Sequence, residues 1–295
     1  MANVECAVRS RDLVGESPTW HPTERALYWV DIWGMRIGRF DPSTDEVRIT
    51  STAAQVTAVV PLRRGGVLAA TTAGLGILVD DAPGGIEHRA PAPGRDGTRI
   101  NDGKCDRLGV LWLGTMALDA ATPIGEVFTI DGRYRTTRQV SGLTISNGIG
   151  WSPDGGTMFL ADSGTARIDA FDFDASSGDI ARRRTIVAID EPGVAPDGLT
   201  VDEHGGIWVA LWGGNAVRRY APDGAVTAVP LPVDRPTSCA FGGPDRSTLF
   251  VTTARHGLDD AALSRQPHAG RVFRIDGLGF RGAPCALYAG RTLPS

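Results

Sequence analysis

Three oxygen-bearing side chains recur in one local context. Glu16, Asn147 and Asp197 each sit at the start of a short apolar stretch, in G-E-S-P-T-W, S-N-G-I-G-W and P-D-G-L-T-V. Glu, Asn and Asp are poor strand formers. Gathering carboxylates away from water is costly unless a cation, protons or dense hydrogen bonding compensates. If all three met at one point they would offer only oxygen, from two carboxylates and one amide. That set suits a hard divalent cation such as Ca²⁺, Mg²⁺ or Mn²⁺, with open positions for water and substrate. A cation so held polarises a carbonyl and supports hydrolysis. Any one of these residues alone is explained equally well as a turn or capping residue. Convergence of equivalent positions is what marks a site.

The elements that must position them are repeats. Residues 194–214 read as a loop, a short strand at 199–201, a polar turn at 202–206 and a second strand at 207–211. The same unit recurs at 15–30, 57–70, 100–114, 146–161 and 237–252. Most copies are followed by a third strand, at 36–41, 125–131, 167–172, 217–220 and 270–276. Six units at a spacing of roughly 40–50 residues predict an all-β fold, a six-bladed β-propeller with a central channel, as one domain over residues 1–295. The alternating segment at 4–9 is expected to pair near 270–276 and close the last blade, since an unpaired edge is a liability. Segments 80–98 and 255–269 read as loops.

If the first strand of each unit lines the channel, the residues just ahead of it face the axis at one end. That slot contains Glu16, Thr57, Asn101 with Asp102, Asn147, Asp197, and Thr237 with Ser238. In an antiparallel pair the end of the second strand lies beside the start of the first. Trp33, residues 116–119 including Met116, Asp162, Trp212 and residues 255–256 including His256 should therefore rim the same mouth. Trp33 and Trp212 could wall a sugar ring or simply pack. Asp162 could bond its own turn. His21 and His204 are expected in solvent at the opposite end, and His88 and His268 have no metal-ligand spacing.

Composition agrees with many short strands joined by tight turns: 38 glycines and few helix signatures. A net charge of −4 gives no reason to expect nucleic acid or an anionic membrane as partner. Lys104 is the sole lysine, a compositional bias rather than a functional mark. The N-terminal stretch has no apolar run of signal-peptide length and no segment is long enough to span a bilayer, so a cytoplasmic protein is expected. Cys6, Cys105, Cys239 and Cys285 lack paired spacing and read as free thiols. There is no G-x-S-x-G and no His in the axial slot, which argues against a covalent nucleophile. Nothing in the sequence sets the oligomeric state.

Over nearly its whole length the chain resembles the senescence marker protein (regucalcin), gluconolactonase and lactonohydrolase family of six-bladed propellers. The resemblance is carried by G-E-S-P-T-W-H-P at 15–22, R-I-N-D-G-K-C-D-R-L-G-V-L-W-L-G-T-M at 99–116, S-N-G-I-G-W-S-P-D-G-G-T-M-F-L-A-D-S at 146–163 and P-D-G-L-T-V-D-E-H-G-G-I-W-V-A-L-W-G-G at 196–214. It implies one divalent metal (Ca, Zn, Mn, Mg or Fe) on Glu16, Asn147 and Asp197, and substrate hydroxyls at Arg99 and Asn101. Asp119 stands where some relatives place an acidic substrate-binding residue. The activity implied is opening of a small-molecule sugar lactone, an aldonolactone, to its acid. Asp197, or a hydroxide on the cation, would be the base. Hydrolysis of another ester such as a phosphotriester, or a non-catalytic calcium-binding or interaction propeller, is the alternative.

Overall fold

Short β-branched and aromatic runs separated by Asp-, Gly- and Pro-rich turns form 24 strands in a computed structural model describing residues 2–79 and 83–289. β1 (Asn3–Val8) precedes the first blade. Blade 1 contains β2 (Gly15–His21), β3 (Ala26–Asp31), β4 (Arg36–Asp41) and β5 (Glu46–Ser51). Blade 2 contains β6 (Val56–Pro61), β7 (Val67–Thr71), β8 (Gly74–Leu78) and β9 (Ile86–Ala90). Blade 3 contains β10 (Thr98–Cys105), β11 (Leu111–Ala117), β12 (Gly125–Ile130) and β13 (Thr136–Leu143). Blade 4 contains β14 (Ser146–Trp151), β15 (Thr157–Asp162), β16 (Arg167–Asp174) and β17 (Asp179–Ala188). Blade 5 contains β18 (Ala195–Val201), β19 (Ile207–Trp212), β20 (Ala216–Tyr220) and β21 (Val226–Pro230). Blade 6 contains β22 (Pro236–Gly242), β23 (Thr248–Thr253) and β24 (Val272–Asp276), and is completed by β1.

Every blade is a four-stranded antiparallel sheet, and each first strand packs on the first strands of both neighbours. The result is the expected six-bladed propeller with an axial channel. Its core is divided among the blade interfaces. One cluster joins Trp20, Trp29, Phe40 and Phe250 between blades 6 and 1, and another joins Trp208, Val217, Phe241 and Leu249 between blades 5 and 6. Alternate residues of a second strand serve opposite interfaces: Trp208 faces blade 6, whereas Val209 and Leu211 face blade 4. That two-sided burial is why β3 and β11 are buried at every position.

The N-terminal segment closes the ring as expected. Asn3, Val4, Glu5 and Cys6 of β1 pair with Asp276, Ile275, Arg274 and Phe273 of β24. At the far end of the channel residues 282–289 form a second tie. Ala283 N donates to Val201 O in blade 5 at 3.3 Å, and Tyr288 N donates to Pro61 O in blade 2 at 2.8 Å. Residues 283–286 thereby floor a cavity of about 330 Å³ that the six first strands surround. The opposite end is the mouth.

Three expectations are corrected. The segment 80–98 is not all loop: β9 forms there because Ile86 is buried between blades 1 and 2, while residues 80–82 lie outside the described residues. The segment 255–269 carries a one-and-a-half-turn helix, α1 (Asp260–Arg265), whose N-cap Asp259 accepts from Ala262 N. His21 is not solvated but fully buried, with Nδ1 accepting the Glu24 backbone N–H at 3.2 Å. His204 is exposed, as expected. All four cysteines are free thiols, Cys105 and Cys239 buried. Among the described residues no helix is long and apolar enough to cross a membrane.

Candidate metal and substrate site

Each first strand is irregular at the same level. Register against the second strand slips at 16–19, 56–58, 100–102, 146–149, 196–199 and 236–238. The slot residues therefore lie in or at the edge of β-bulges inside the strands, rather than ahead of them. A bulge re-aims a side chain that regular pleating would send elsewhere, so one irregularity per blade delivers a ring of polar groups to the axis. The glycines that follow are steric requirements. A Cβ on Gly198 would lie 1.9 Å from Ser238 Oγ, and one on Gly148 would lie 2.4 Å from Leu199 N. The N-G and D-G pairs thus let neighbouring first strands approach closely at the site.

Glu16, Asp102 and Asp197 are all buried, at 7%, 5% and 6% exposure. Burial, then the charges of Asp197 and Asp102, push the Glu16 carboxyl well above its usual range. Burial, then Asp102, does the same to Asp197, with a hydrogen bond from the Asn147 side chain and the Gly198 N–H opposing. Asp102 is also raised, by burial, against the nearby Lys104 charge and the Gly103 N–H. Asn147 Nδ2 donates to Ser163 Oγ at 3.0 Å, and Ser163 Oγ donates to Pro196 O at 2.7 Å. That relay fixes the amide against the strand bearing Asp197.

Arg99 lies beside this group, and the Glu16 charge opposes the lowering of its pKa by burial. Its Nη1 donates to Ile100 O at 3.0 Å and Asn101 Oδ1 at 2.9 Å. Asn101 Nδ2 donates to Ser146 O at 3.0 Å, so Asn101 bridges blades 3 and 4 and orients Arg99. Thr57 and Thr237, in the same slot, are buried and bonded to Ala70 O and Gly15 O.

The remaining mouth residues lie farther out. Asp119 is exposed, and its carboxylate accepts from Ala121 N and Thr122 N at 2.9 Å each and from Thr122 Oγ1. These bonds, the Thr122 hydroxyl first, hold its pKa at about 2. Met116, paired with Arg99, is buried. Trp33 is half exposed and stacked on His256, while Trp212 lies under the Arg235 guanidinium. Asp162 accepts from Gly164 N in its own turn and from Ile145 N just ahead of β14, so it ties the two ends of that hairpin. Asp102 was expected only as a member of the axial slot, and Ser163 and Arg235 received no role from sequence reasoning. The N-D-G in the third repeat already placed Asp102 beside Asn101, but nothing local marks Ser163 or Arg235.

The donor chemistry fits a divalent cation. Carboxyls raised first by burial and then by a neighbouring negative charge, as Glu16 and Asp197 are, favour a positive charge beside them, and Glu16, Asn147 and Asp197 can supply oxygen. Among the described residues no group of three or more His, Cys, Asp or Glu side chains is arranged to hold a metal, so the set depends on the Asn147 amide oxygen.

A six-bladed propeller with an oxygen-lined polar centre at its mouth is the class that fold and site define. The sequence profile described as the SMP-30/gluconolactonase/LRE-like region matches residues 14–255. The chain belongs to that family. It is 36% identical to regucalcin of Oryctolagus cuniculus over 294 residues, covering 97% of this chain and 98% of that protein. Among solved structures it is similar to a calcium-binding protein, regucalcin, from Agrobacterium tumefaciens, with TM-score 0.89, 29% identity and 96% of each chain covered. It is also similar to a luciferin-regenerating enzyme, with TM-score 0.87, 31% identity, and 97% of this chain and 99% of that one covered.

Proposed function

We propose that this protein is a metal-dependent hydrolase that opens a sugar lactone, an aldonolactone, to its acid. The observation that carries the reading is that bulged first strands hold Glu16, Asp102, Asn147 and Asp197, all buried, at one level of the channel, with Arg99 beside Glu16. Family membership supports the lactonase class. Glu16, Asn147 and Asp197 would hold the cation, which when bound supplies Lewis acidity toward the lactone carbonyl. Arg99 would bind ring hydroxyls, and Asn101 keeps the guanidinium in place, which restricts the lactone to one orientation. Asp197 takes the proton from the attacking water on a carboxylate oxygen and returns it to the leaving ring oxygen. Ligating the cation through one carboxylate oxygen, Asp197 would keep the other for that proton, with its basicity lowered by the cation.

The test is acid release, followed with a pH indicator, from a panel of pentono- and hexonolactones in the D and L series. Protein stripped with chelator is compared with the same protein given single metals. The reading predicts turnover that depends on added metal. Tight metal binding with no turnover above the spontaneous rate for any lactone would favour a binding role instead.

A further inference from the structure

The mouth carries apolar surface that a polyhydroxylated ring does not need. The Trp33 ring stacks on the His256 ring with centroids 4.6 Å apart and planes 18° from parallel. Arg235 donates from Nη1 to His256 O and from Nη2 to Gly257 O at 3.2 Å, and its guanidinium lies 4.9 Å over the Trp212 ring. Trp33, His256, Arg235 and Trp212 thus form one continuous wall across blades 1, 6 and 5. Leu13 joins it, because its carbonyl accepts from Arg255 N and His256 N at 3.1 and 2.9 Å.

Strand register places this wall next to the site. Trp212 pairs with Ala195, two residues before Asp197, and Trp33 follows Asp31, the partner of Gly15, which adjoins Glu16. Across the mouth, Leu118 follows Met116, the partner of Arg99, by two residues. Trp33, Leu13 and Leu118 are 50%, 43% and 68% exposed. Among the described residues the exposed large apolar side chains fall into two groups: these three with Met35 on the mouth face, and four on outermost blade strands. Clustered exposed apolar surface marks a binding area where scattered residues do not. Hydroxyl groups would find no partner on Leu13 or Leu118, whereas an alkyl or aryl group would.

We propose that the substrate is an amphiphilic lactone. Its ring sits at the axial carboxylates with its hydroxyls toward Arg99. An aryl or alkyl substituent lies along the Trp33–His256–Arg235–Trp212 wall. Arg235 is a positioning residue, since it ties His256 to Trp212. This inference rests on the lactonase reading and adds the substrate class.

The experiment compares kcat/KM for a hexonolactone with that for the same lactone carrying a benzyl ether on its terminal hydroxyl. Wild-type protein is expected to favour the benzylated lactone by about 10- to 100-fold, mainly through KM, the range a hydrophobic contact supplies. Trp33→Ala, Trp212→Ala and Arg235→Ala should each reduce that ratio severalfold, and Arg235→Lys should restore only part of it. A wild-type ratio at or below one overturns the inference. If neither lactone is hydrolysed the lactonase reading fails instead. Quenching of tryptophan fluorescence by the benzylated lactone, lost in Trp33→Ala, then still supports the wall as a site, and no quenching overturns it. A wild-type dimer that Trp33→Ala or Leu118→Ala dissolves would make the wall a subunit interface and also overturn it.

Discussion

Ring closure should depend on pH through one buried carboxyl. Asp12 is 3% exposed where β1 leads into blade 1, and its backbone N donates to Gly270 O at 2.8 Å. Its Oδ2 accepts the Trp29 Nε1 proton at 3.0 Å, but Arg36, at 3.6 Å, sits closer to Asp31, at 2.6 Å. Burial, then the Asp31 charge, raises the Asp12 pKa from 3.8 to about 7. A raised native pKa means that the folded protein holds a proton the unfolded chain has released. The stabilisation is therefore complete below the unfolded value and is lost as pH rises through about 7. Between about pH 5 and about pH 8 linkage gives a loss on the order of 2.5 kcal/mol from this group. Asp12→Asn keeps an acceptor for Trp29 and removes the titration. Urea unfolding of both proteins across that pH range should show the variant gaining on wild type by about 2 kcal/mol toward alkaline pH. A difference between the two that stays constant with pH would refute the reasoning.

Other consequences are structural. Asp202 accepts from Arg219 Nε at 2.7 Å, Trp208 Nε1 at 2.8 Å, and His204 N and Gly206 N at 2.9 Å each. Asp202→Ala leaves the buried Arg219 charge unpaired and should cost about 3–5 kcal/mol in denaturant unfolding. Burial alone would raise the Asp202 pKa, but the bonds from Arg219, Trp208 and the turn lower it. Its contribution is thus present above the ordinary carboxylate range and lost only as pH falls through the depressed value. Gly198→Ala drives a Cβ into Ser238 Oγ and should cost about 1–3 kcal/mol, with metal affinity by calorimetry falling at least about tenfold as β18 shifts. Deleting residues 2–8 removes β1 and exposes the edge of β24, and should lower the Tm by about 10 °C or cause aggregation on heating.

The blade count, the closing strand and the common slot of Glu16, Asn147 and Asp197 were legible because they are local and repeated. A turn residue at a fixed offset from an apolar run is visible in one copy and convincing in six. Features made by tertiary contact were not legible. His21 has the neighbours of a turn residue, yet it is buried, with its ring near Tyr28 and bonded to the Glu24 backbone. β9 lies in a stretch rich in Pro and Gly, and Ile86 becomes strand only because blade 1 covers it. The bulges were read as strand starts, since a slipped register has no signature in a single strand. Arg235 joins Trp212 to a carbonyl more than twenty residues away, which no local pattern announces.

The central claim is that the axial carboxylates open the lactone. Its most direct test is kcat/KM for the best lactone of the panel, measured for wild type and Asp197→Asn at saturating metal, with metal content verified for both. The account predicts a fall of at least about 100-fold in Asp197→Asn, the scale of a lost general base. Turnover within about twofold of wild type would contradict it, because the proton would then be accepted elsewhere.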